Sequence, residues 1–196
     1  MRHNERTLYS LLSSVVGQLT PVHLSEYSFV ERRSDEKRVG RRMDLWCNYR
    51  TVDFGIELKR IPVSVKNLRN HLQVKALVGQ AANLRRQVSG ALREVGSWGG
   101  SGTICAVGVQ VVYIWAQSKK RENLKGYKQF AQAFAQRNLV PTKGEIRNFL
   151  EATIKPDWAS IFWIPEEMRT FELDNKKWEY NPAVVFAATV RARTIG

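Results

Sequence analysis

The fold is decided by two stretches, Arg41-Arg42-Met43-Asp44-Leu45-Trp46-Cys47 and Gly55-Ile56-Glu57-Leu58-Lys59-Arg60. In both, apolar and polar residues alternate, and the segment between them is rich in turn formers, so we predict two strands joined by a turn. Successive side chains on a strand point to opposite faces, so Glu57 and Lys59 share one face while Ile56 and Leu58 pack inward. If the strands pair as a hairpin, Asp44 reaches the face of Glu57 and Lys59.

The predicted patch holds two carboxylates and one ammonium group. Carboxylates a few ångströms apart repel each other, and a hard divalent cation such as Mg²⁺ on oxygen ligands relieves that repulsion. A lysine beside such a metal can hold or deprotonate a water, as hydrolysis of a phosphodiester requires. The backbone carbonyl of Leu58 lies between the charged side chains and is a further candidate ligand.

The spacing of these residues resembles the core of a known superfamily. Asp44, followed thirteen positions later by Glu57-Leu58-Lys59, is similar to the aspartate and E-x-K elements of the PD-(D/E)xK nucleases. Met43 stands where many members have proline. Asn4-Glu5-Arg6-Thr7-Leu8 resembles the Glu-Arg-x-Leu element that opens the first helix of archaeal Holliday-junction resolvases. The resemblance covers residues 4–115.

This resemblance implies a Mg²⁺ cofactor, for which Mn²⁺ would substitute, bound by Asp44, Glu57, the carbonyl of Leu58 and Glu5. Lys59 would orient or activate the attacking water, so the catalytic residues would be Asp44, Glu57, Lys59 and Glu5. The product would carry a 5′ phosphate. Restriction-type cutting, junction resolution, exonuclease action and an RNA substrate all fit the same core. A homodimer is compatible with the resemblance, because duplex-cutting relatives often act as dimers.

The sequence offers three candidates for a third acid of the site, Glu5, Glu26 and Glu31. Residues 4–19 predict the first helix, with Asn4 as N-cap and one apolar stripe. At 100° per residue, Glu5 lies about 50° from the centre of that stripe, so it leans inward. A glutamate in the first turn also favours the helix dipole without binding anything. Glu26 and Glu31, on a strand predicted over residues 22–31, are rivals. The apolar positions of the helix and the strand are Leu8, Leu11, Leu12, Val15, Val16, Leu19, Leu24, Tyr27, Phe29 and Val30.

The chain is strongly basic, with 31 Lys and Arg against 18 Asp and Glu and a net charge of +13. Such a balance favours a polyanionic partner, nucleic acid first, and we expect DNA rather than RNA. Basic residues concentrate just before Asp44, where they would contact phosphates, although a charge run is also commonly a solvated loop. The candidate contacts are Arg32, Arg33, Lys37, Arg38, Arg41 and Arg42, with Gln80 added because some members of the superfamily carry a glutamine on that helix.

The remaining core elements follow in order. Pro62 is expected to end the second strand, and residues 66–95 predict a long helix. Ile104 to Ala116 is apolar enough for a strand buried on both faces. The predicted order of elements is helix, three strands, helix and strand, which matches the αβββαβ core of the superfamily. The resemblance therefore implies a restriction-endonuclease-like α/β fold with a mixed central sheet flanked by helices. We therefore place the nuclease core in residues 1–117. The apolar positions of the long helix are Leu77, Ala81, Leu84, Val88 and Leu92.

Residues 118–196 are expected to form a C-terminal α+β elaboration packed on the same domain. Thr142-Lys143-Gly144-Glu145 is a capping box that predicts another helix. Residues 159–164 and 183–190 predict strands. A second copy of the aspartate and E-x-K pattern occurs at Pro156-Asp157 and Glu167-Met168-Arg169. There Arg169 replaces the lysine, and because arginine cannot lose a proton near neutrality, we reject this copy as a catalytic site. The inner face of the helix that follows the capping box would be Ile146, Phe149, Leu150 and Ile154. Among the tryptophans, Trp115, Trp158 and Trp163 are expected in the core. Trp46 and Trp178 are expected near a ligand.

No apolar run reaches the length of a transmembrane helix, and the N-terminus lacks the apolar region of a signal peptide. We therefore expect no membrane partner and an intracellular location, in the cytoplasm or nucleus, with Cys47 and Cys105 buried and reduced and no zinc site. Two alternatives to an enzyme stay open. One is a non-catalytic nucleic-acid-binding module on the same fold, and the other is a basic protein-interaction or membrane-surface factor.

Overall fold

The computed structural model describes residues 5–20, 22–31, 39–70, 74–95, 102–117, 129, 132, 140–173 and 177–195. Up to β4 the described elements follow the predicted order of helix, three strands, helix and strand, with one short helix added. The elements are α1 (Glu5–Leu19), β1 (His23–Glu31), β2 (Val39–Tyr49), β3 (Val52–Ser64), α2 (Val65–Arg69), α3 (Val74–Val95), β4 (Gly102–Gln117), α4 (Lys143–Thr153), β5 (Trp158–Trp163), a 3-10 turn (Glu166–Met168), β6 (Thr170–Leu173) and β7 (Lys177–Ile195).

The described strands form one seven-stranded sheet. Six of them lie in the order β1-β2-β3-β4-β7-β5, and β6 pairs with β7. The pairs β1–β2 and β2–β3 are antiparallel, as expected for strands joined by short connections. The chain therefore has the predicted α/β class, with a mixed sheet flanked by helices.

The turn between β2 and β3 is tighter than predicted. It consists of Arg50 and Thr51 alone, whose φ angles are 48° and 67°. Positive φ at both positions is the backbone that a two-residue hairpin loop adopts to follow the twist of its strands. Asn48 Nδ2 donates to Asp53 Oδ1 across the base of the hairpin at 2.9 Å. The residues on either side of the turn therefore belong to the strands rather than to a loop.

β3 continues through Pro62 to Ser64, so the prediction that this proline ends the strand is wrong. The Ser64 side chain accepts from the backbone N–H of Asn67 at 3.1 Å and caps α2. The single helix predicted over residues 66–95 is therefore two helices, α2 and α3.

The chain divides into two compact units. The first comprises Arg60–Ala81 and Gln110–Ala187, and the second Arg2–Lys59, Ala82–Val109 and Ala188–Gly196. The boundary predicted at residues 117/118 divides the nuclease core from the C-terminal elaboration. Compact units do not test such a boundary, because the elaboration is expected to pack on the same domain as the core. That boundary stays a prediction.

The core of the first unit is built around α4. Thr142 Oγ1 accepts from the Glu145 N–H, and the Glu145 carboxylate accepts from the Thr142 N–H, which confirms the predicted capping box. The inner face of α4 packs against apolar residues of β3, α2, β4 and β7. All four residues predicted for this face are at most 5% exposed: Ile146, Phe149, Leu150 and Ile154.

Glu145 also joins α4 to α2, because Arg69 Nε donates to its Oε1 at 2.9 Å. Burial tends to raise the pKa of this carboxyl, but the Thr142 N–H and the Arg69 guanidinium outweigh burial and lower it below the ordinary value of 4.5. A group whose pKa is lower in the folded than in the unfolded chain stabilises the fold fully above the unfolded value. That contribution is lost as the pH falls through the folded value.

We expect Glu145→Ala to lower the free energy of unfolding by about 1 kcal/mol at pH 7, since a cap and a partly solvated ion pair are lost together. The loss should shrink well below pH 4.5, where the wild-type carboxyl is protonated as well. Urea titrations followed by circular dichroism at both pH values would measure it. Glu151→Ala, at an exposed position of the same helix, is the matched control. An equal loss at both pH values would contradict the prediction.

α3 and β4 supply most of the core of the second unit. Leu84, Val88 and Leu92 are buried at the predicted helical spacing and pack against Ile104 and Ala106 of β4. A glycine permits this close approach, because a Cβ on residue 108 would lie 2.7 Å from the Leu84 Cγ. The prediction of a strand after a long helix is therefore confirmed, but the prediction that both faces of this strand are buried is wrong, because Cys105, Val107 and Val109 on its other face are half-buried.

Among the side chains of the predicted α1 stripe whose burial the structure describes, Val16 is buried and Leu12 is half-buried. Val16 is buried against Leu45 and Cys47 of β2, whereas Leu11, Val15 and Leu19 are exposed. From Leu11 to Val16 the apolar stripe is about 140° wide at 100° per residue, more than a single contact with β2 covers. The apolar stripe exists as predicted, but Leu11, Val15 and Leu19 within it lie at the surface.

Two tryptophans are also more exposed than predicted. Trp158 is 57% and Trp163 41% exposed, and both lie on β5, the last strand in the spatial order. A strand at the end of a sheet has a neighbour on one side only, so its side chains are covered less. Trp115 of β4 is half-buried. The prediction that Trp158 and Trp163 belong to the core is wrong.

Candidate active site

The first acid lies on a strand with strict alternation of burial. Met43, Leu45 and Cys47 of β2 are buried, with exposed fractions of 5% or less, while Asp44 and Trp46 between them are half-buried. Alternation with period two places Asp44 on the face opposite the apolar core of the second unit. The predicted orientation of this strand is confirmed.

The register of the hairpin brings Asp44 to β3. Leu45 pairs with Ile56, and extending this register by one residue sets Asp44 opposite Glu57. The backbone N–H of Leu58 donates to Asp44 Oδ2 at 2.6 Å. This charge-assisted hydrogen bond fixes the carboxylate against the β3 backbone at the residue between Glu57 and Lys59.

Glu57 and Lys59 lie side by side on one face of β3, as predicted. Lys59 Nζ lies 2.7 Å from Glu57 Oε1, and the two side chains are 37% and 6% exposed, respectively. Burying an ionised carboxylate is costly unless it is paired and hydrogen-bonded. The Glu57 carboxylate is therefore buried rather than solvated at a strand edge. The Lys59 side chain that pairs with it is partly exposed to solvent.

The donor set suits a hard divalent cation. The site offers three oxygen donors, namely the carboxylates of Asp44 and Glu57 and the backbone carbonyl of Leu58. Mg²⁺ is typically held by one or two carboxylates, and waters and substrate phosphates complete its shell. A carboxylate has about four lone-pair sites, so the contact with the Leu58 N–H leaves Asp44 able to accept further. Within the described residues there is no group of three or more His, Cys, Asp or Glu side chains that could hold a metal ion.

The other predicted site residues are described less fully. Glu5 begins α1, and Arg41 and Arg42 lie on β2, but their side chains lie outside the described residues, as do those of the rivals Glu26 and Glu31. Gln80 is exposed on α3 and belongs to the first compact unit, so its place at this site stays a prediction. The predicted contacts wholly outside the described residues are Arg32, Arg33, Lys37 and Arg38.

The rejected copy of the motif is not placed like the first. Glu167 lies in the 3-10 turn of residues Glu166–Met168 and is exposed, rather than in mid-strand beside an acid. Asp157 is exposed as well. Neither residue lies within a strand, whereas Asp44 lies on β2 and Glu57 on β3.

The cysteines are not reactive groups of the site. Burial raises the pKa of the Cys47 thiol, and the charge of Asp53 raises it further. Burial also raises the pKa of the Cys105 thiol. Because the thiolate is the nucleophilic form, a raised pKa disfavours that form in both side chains.

One contact of the site escaped prediction from sequence. Leu58 was expected to contribute its carbonyl oxygen, whereas its recorded contact with the site is the N–H bond to Asp44. The strand register was the signal that could have found it, because an acid opposite Glu57 lies beside the next amide of β3.

No family model matches this chain, and no curated protein and no solved structure is significantly similar to it. Among the helices of the described part of the chain, none combines the length and the apolar character needed to cross a membrane.

Proposed function

We propose that the chain is a Mg²⁺-dependent nuclease of the PD-(D/E)xK type that hydrolyses phosphodiester bonds in DNA as an endonuclease. The observation that carries the proposal is the hydrogen bond from the Leu58 N–H to Asp44, which holds this acid beside the ion pair of Glu57 and Lys59. The element order from α1 to β4 supports a restriction-endonuclease-like core as part of the same proposal.

The residues of the patch would have distinct roles. Asp44, Glu57 and the Leu58 carbonyl would hold the metal, and Glu5 would complete the shell. Bound Mg²⁺ would supply a Lewis acid for the phosphoryl group and stabilise the charge of the leaving oxygen. Lys59 is half-buried and anchored by Glu57, so its ammonium group can hold the attacking water by donating a hydrogen bond to it.

The charge of the chain favours a nucleic-acid substrate. A net charge of +13 attracts phosphates over long range and makes binding weaken as salt is added. A site containing two carboxylates repels a polyanion, so the surrounding cations are needed to bring the substrate in. Arginines 41 and 42, next to Asp44 in the sequence, are the nearest candidates for phosphate contacts.

The test is cleavage of supercoiled plasmid, linear duplex, a four-way junction, single-stranded DNA and RNA, with Mg²⁺, Mn²⁺ or EDTA. We expect cleavage of DNA that requires metal, and a loss of about 100-fold or more in Lys59→Ala, the order of magnitude for removing a positioned acid–base group. Lys75→Ala removes the same charge at an exposed position of α3 and should cut normally. Circular dichroism checks that both variants are folded.

The outcomes separate this function from its main alternative. If no substrate is cut, yet the chain binds nucleic acid with a steep salt dependence, the chain is a non-catalytic binding module. The close ion pair of Glu57 and Lys59 is compatible with this alternative, because a purely structural patch would also hold it. Cleavage by Lys59→Ala at the wild-type rate would overturn the assignment of Lys59.

A further inference from the structure

The longest described helix, α3, carries charge of a single sign up to Arg93. From Leu58 to Arg93 the chain contains eight Lys and Arg and no Asp or Glu, although the whole chain has 18 acids. A surface without carboxylates attracts phosphates along its length, because no like charge repels them. α4 differs from α3, since Glu151 is exposed on the same helix as Arg147. The partner that suits α3 by charge is therefore a polyanion.

The side of α3 that faces away from the core is contiguous within the second unit. Leu84 and Val88 are buried, and four residues between positions 82 and 87 are exposed; we call them the α3 outer face. At 100° per residue they span about 140° of the helix. Single-stranded nucleic acid is held by stacking of its bases on aromatic side chains, and this face has none. The α3 outer face comprises Ala82, Asn83, Arg86 and Gln87.

Two side chains of the α3 outer face are hydrogen-bonded to each other. Arg86 Nη2 donates to Asn83 Oδ1, about one helical turn earlier. This oxygen is the only acceptor atom of the two side chains, because a guanidinium group has none. Every other polar group that the pair offers is an N–H donor. Asn83 therefore orients the guanidinium group, and the pair presents donors to a ligand.

We propose that the α3 outer face enters the major groove of duplex DNA, where Arg86, oriented by Asn83, reads a guanine. In that groove guanine presents two acceptors, O6 and N7, and arginine bound to both is the commonest specific contact. Ala82, on the same face, has a small side chain that lets the helix approach closely. The major groove of B-DNA admits a helix, whereas that of A-form RNA is too deep and narrow. The inference rests on the proposed function for the choice of DNA as partner and adds a sequence preference to it.

Selection from a pool of DNA duplexes with a randomised centre tests the proposal. The full chain is used in EDTA, so that binding is measured without metal-dependent cleavage. We expect a preferred sequence with a fixed guanine. Replacing that guanine by adenine should weaken binding roughly 5- to 150-fold, as measured by fluorescence anisotropy, which is the range for losing one bidentate contact.

Arg86→Lys separates reading of the base from attraction by charge. Lysine keeps the charge but lacks the planar fork, so discrimination against adenine should fall to about twofold or less. Affinity for a random duplex, and its dependence on salt, should stay as in the wild type. Asn83→Ala should reduce the discrimination as well, because the guanidinium group loses its partner. Arg147→Lys, the same change at an exposed position of α4, is the matched control.

Circular dichroism checks that each variant is folded. The inference would be overturned if no sequence is selected, if Arg86→Lys discriminates as well as the wild type, or if Arg147→Lys loses discrimination. Equally tight binding of single-stranded DNA or duplex RNA would also overturn it. Binding without a preferred sequence would leave the proposed nuclease standing. A preferred sequence in a chain that cuts nothing would refute the nuclease and leave the assignment of the α3 outer face intact.

Discussion

Asp44→Asn is expected to abolish metal-dependent cleavage while leaving the chain folded. The amide oxygen of asparagine can still accept the Leu58 N–H, but the negative charge that holds a cation is gone. We expect a loss of about 100-fold or more in the initial rate, and a change in the free energy of unfolding of about 1 kcal/mol or less. Asp44→Ala removes the acceptor as well, so it should cost about 1 to 3 kcal/mol of stability in addition.

Asp53→Asn provides the control for this substitution. Asp53 lies on the same hairpin, is half-buried like Asp44, and accepts from Asn48 Nδ2 at 2.9 Å. The substitution removes one negative charge from β3 without touching Glu57, so cleavage should continue at close to the wild-type rate. Equal losses in both asparagine variants, measured on the same DNA substrate with Mg²⁺, would show that Asp44 has no special role.

Phe149→Ala is expected to destabilise the first unit by about 3 to 5 kcal/mol. Phe149 is 1% exposed and is the largest of the fully buried side chains in the core around α4. Its removal leaves a cavity that helix and sheet fill only in part, because interiors are close-packed. Urea or thermal unfolding followed by circular dichroism would measure the loss.

Phe162→Ala removes the same side chain from an exposed position and serves as the comparison. Phe162 of β5 is 53% exposed and meets Phe186 of β7 edge to face, with 5.4 Å between the ring centroids. Losing that contact should cost about 0.5 to 1.5 kcal/mol. A Phe149→Ala variant no less stable than Phe162→Ala would contradict the assignment of the core.

The largest errors of prediction concern exposure rather than secondary structure. The helix at the N-terminus and the strand at residues 158–163 both exist, but Leu19 and Trp158 lie at the surface instead of in the core. Periodicity shows which residues share a face, and it does not show whether another element covers that face. Glu57 is the opposite case, since a charged residue on a strand is 95% buried.

Local patterns in the sequence determined the helix at the capping box of Thr142 and Glu145, the buried spacing of α3, and the alternation that sets Asp44 apart from Leu45. These features depend on residues a few positions apart, whose geometry the backbone imposes. Only the tertiary structure decided the two-residue turn, the bond from the Leu58 N–H to Asp44, the burial of Glu57 and the exposure of Leu11, Val15 and Leu19 on α1. Register and strand order decide these, because they bring together residues far apart in the chain and leave others uncovered.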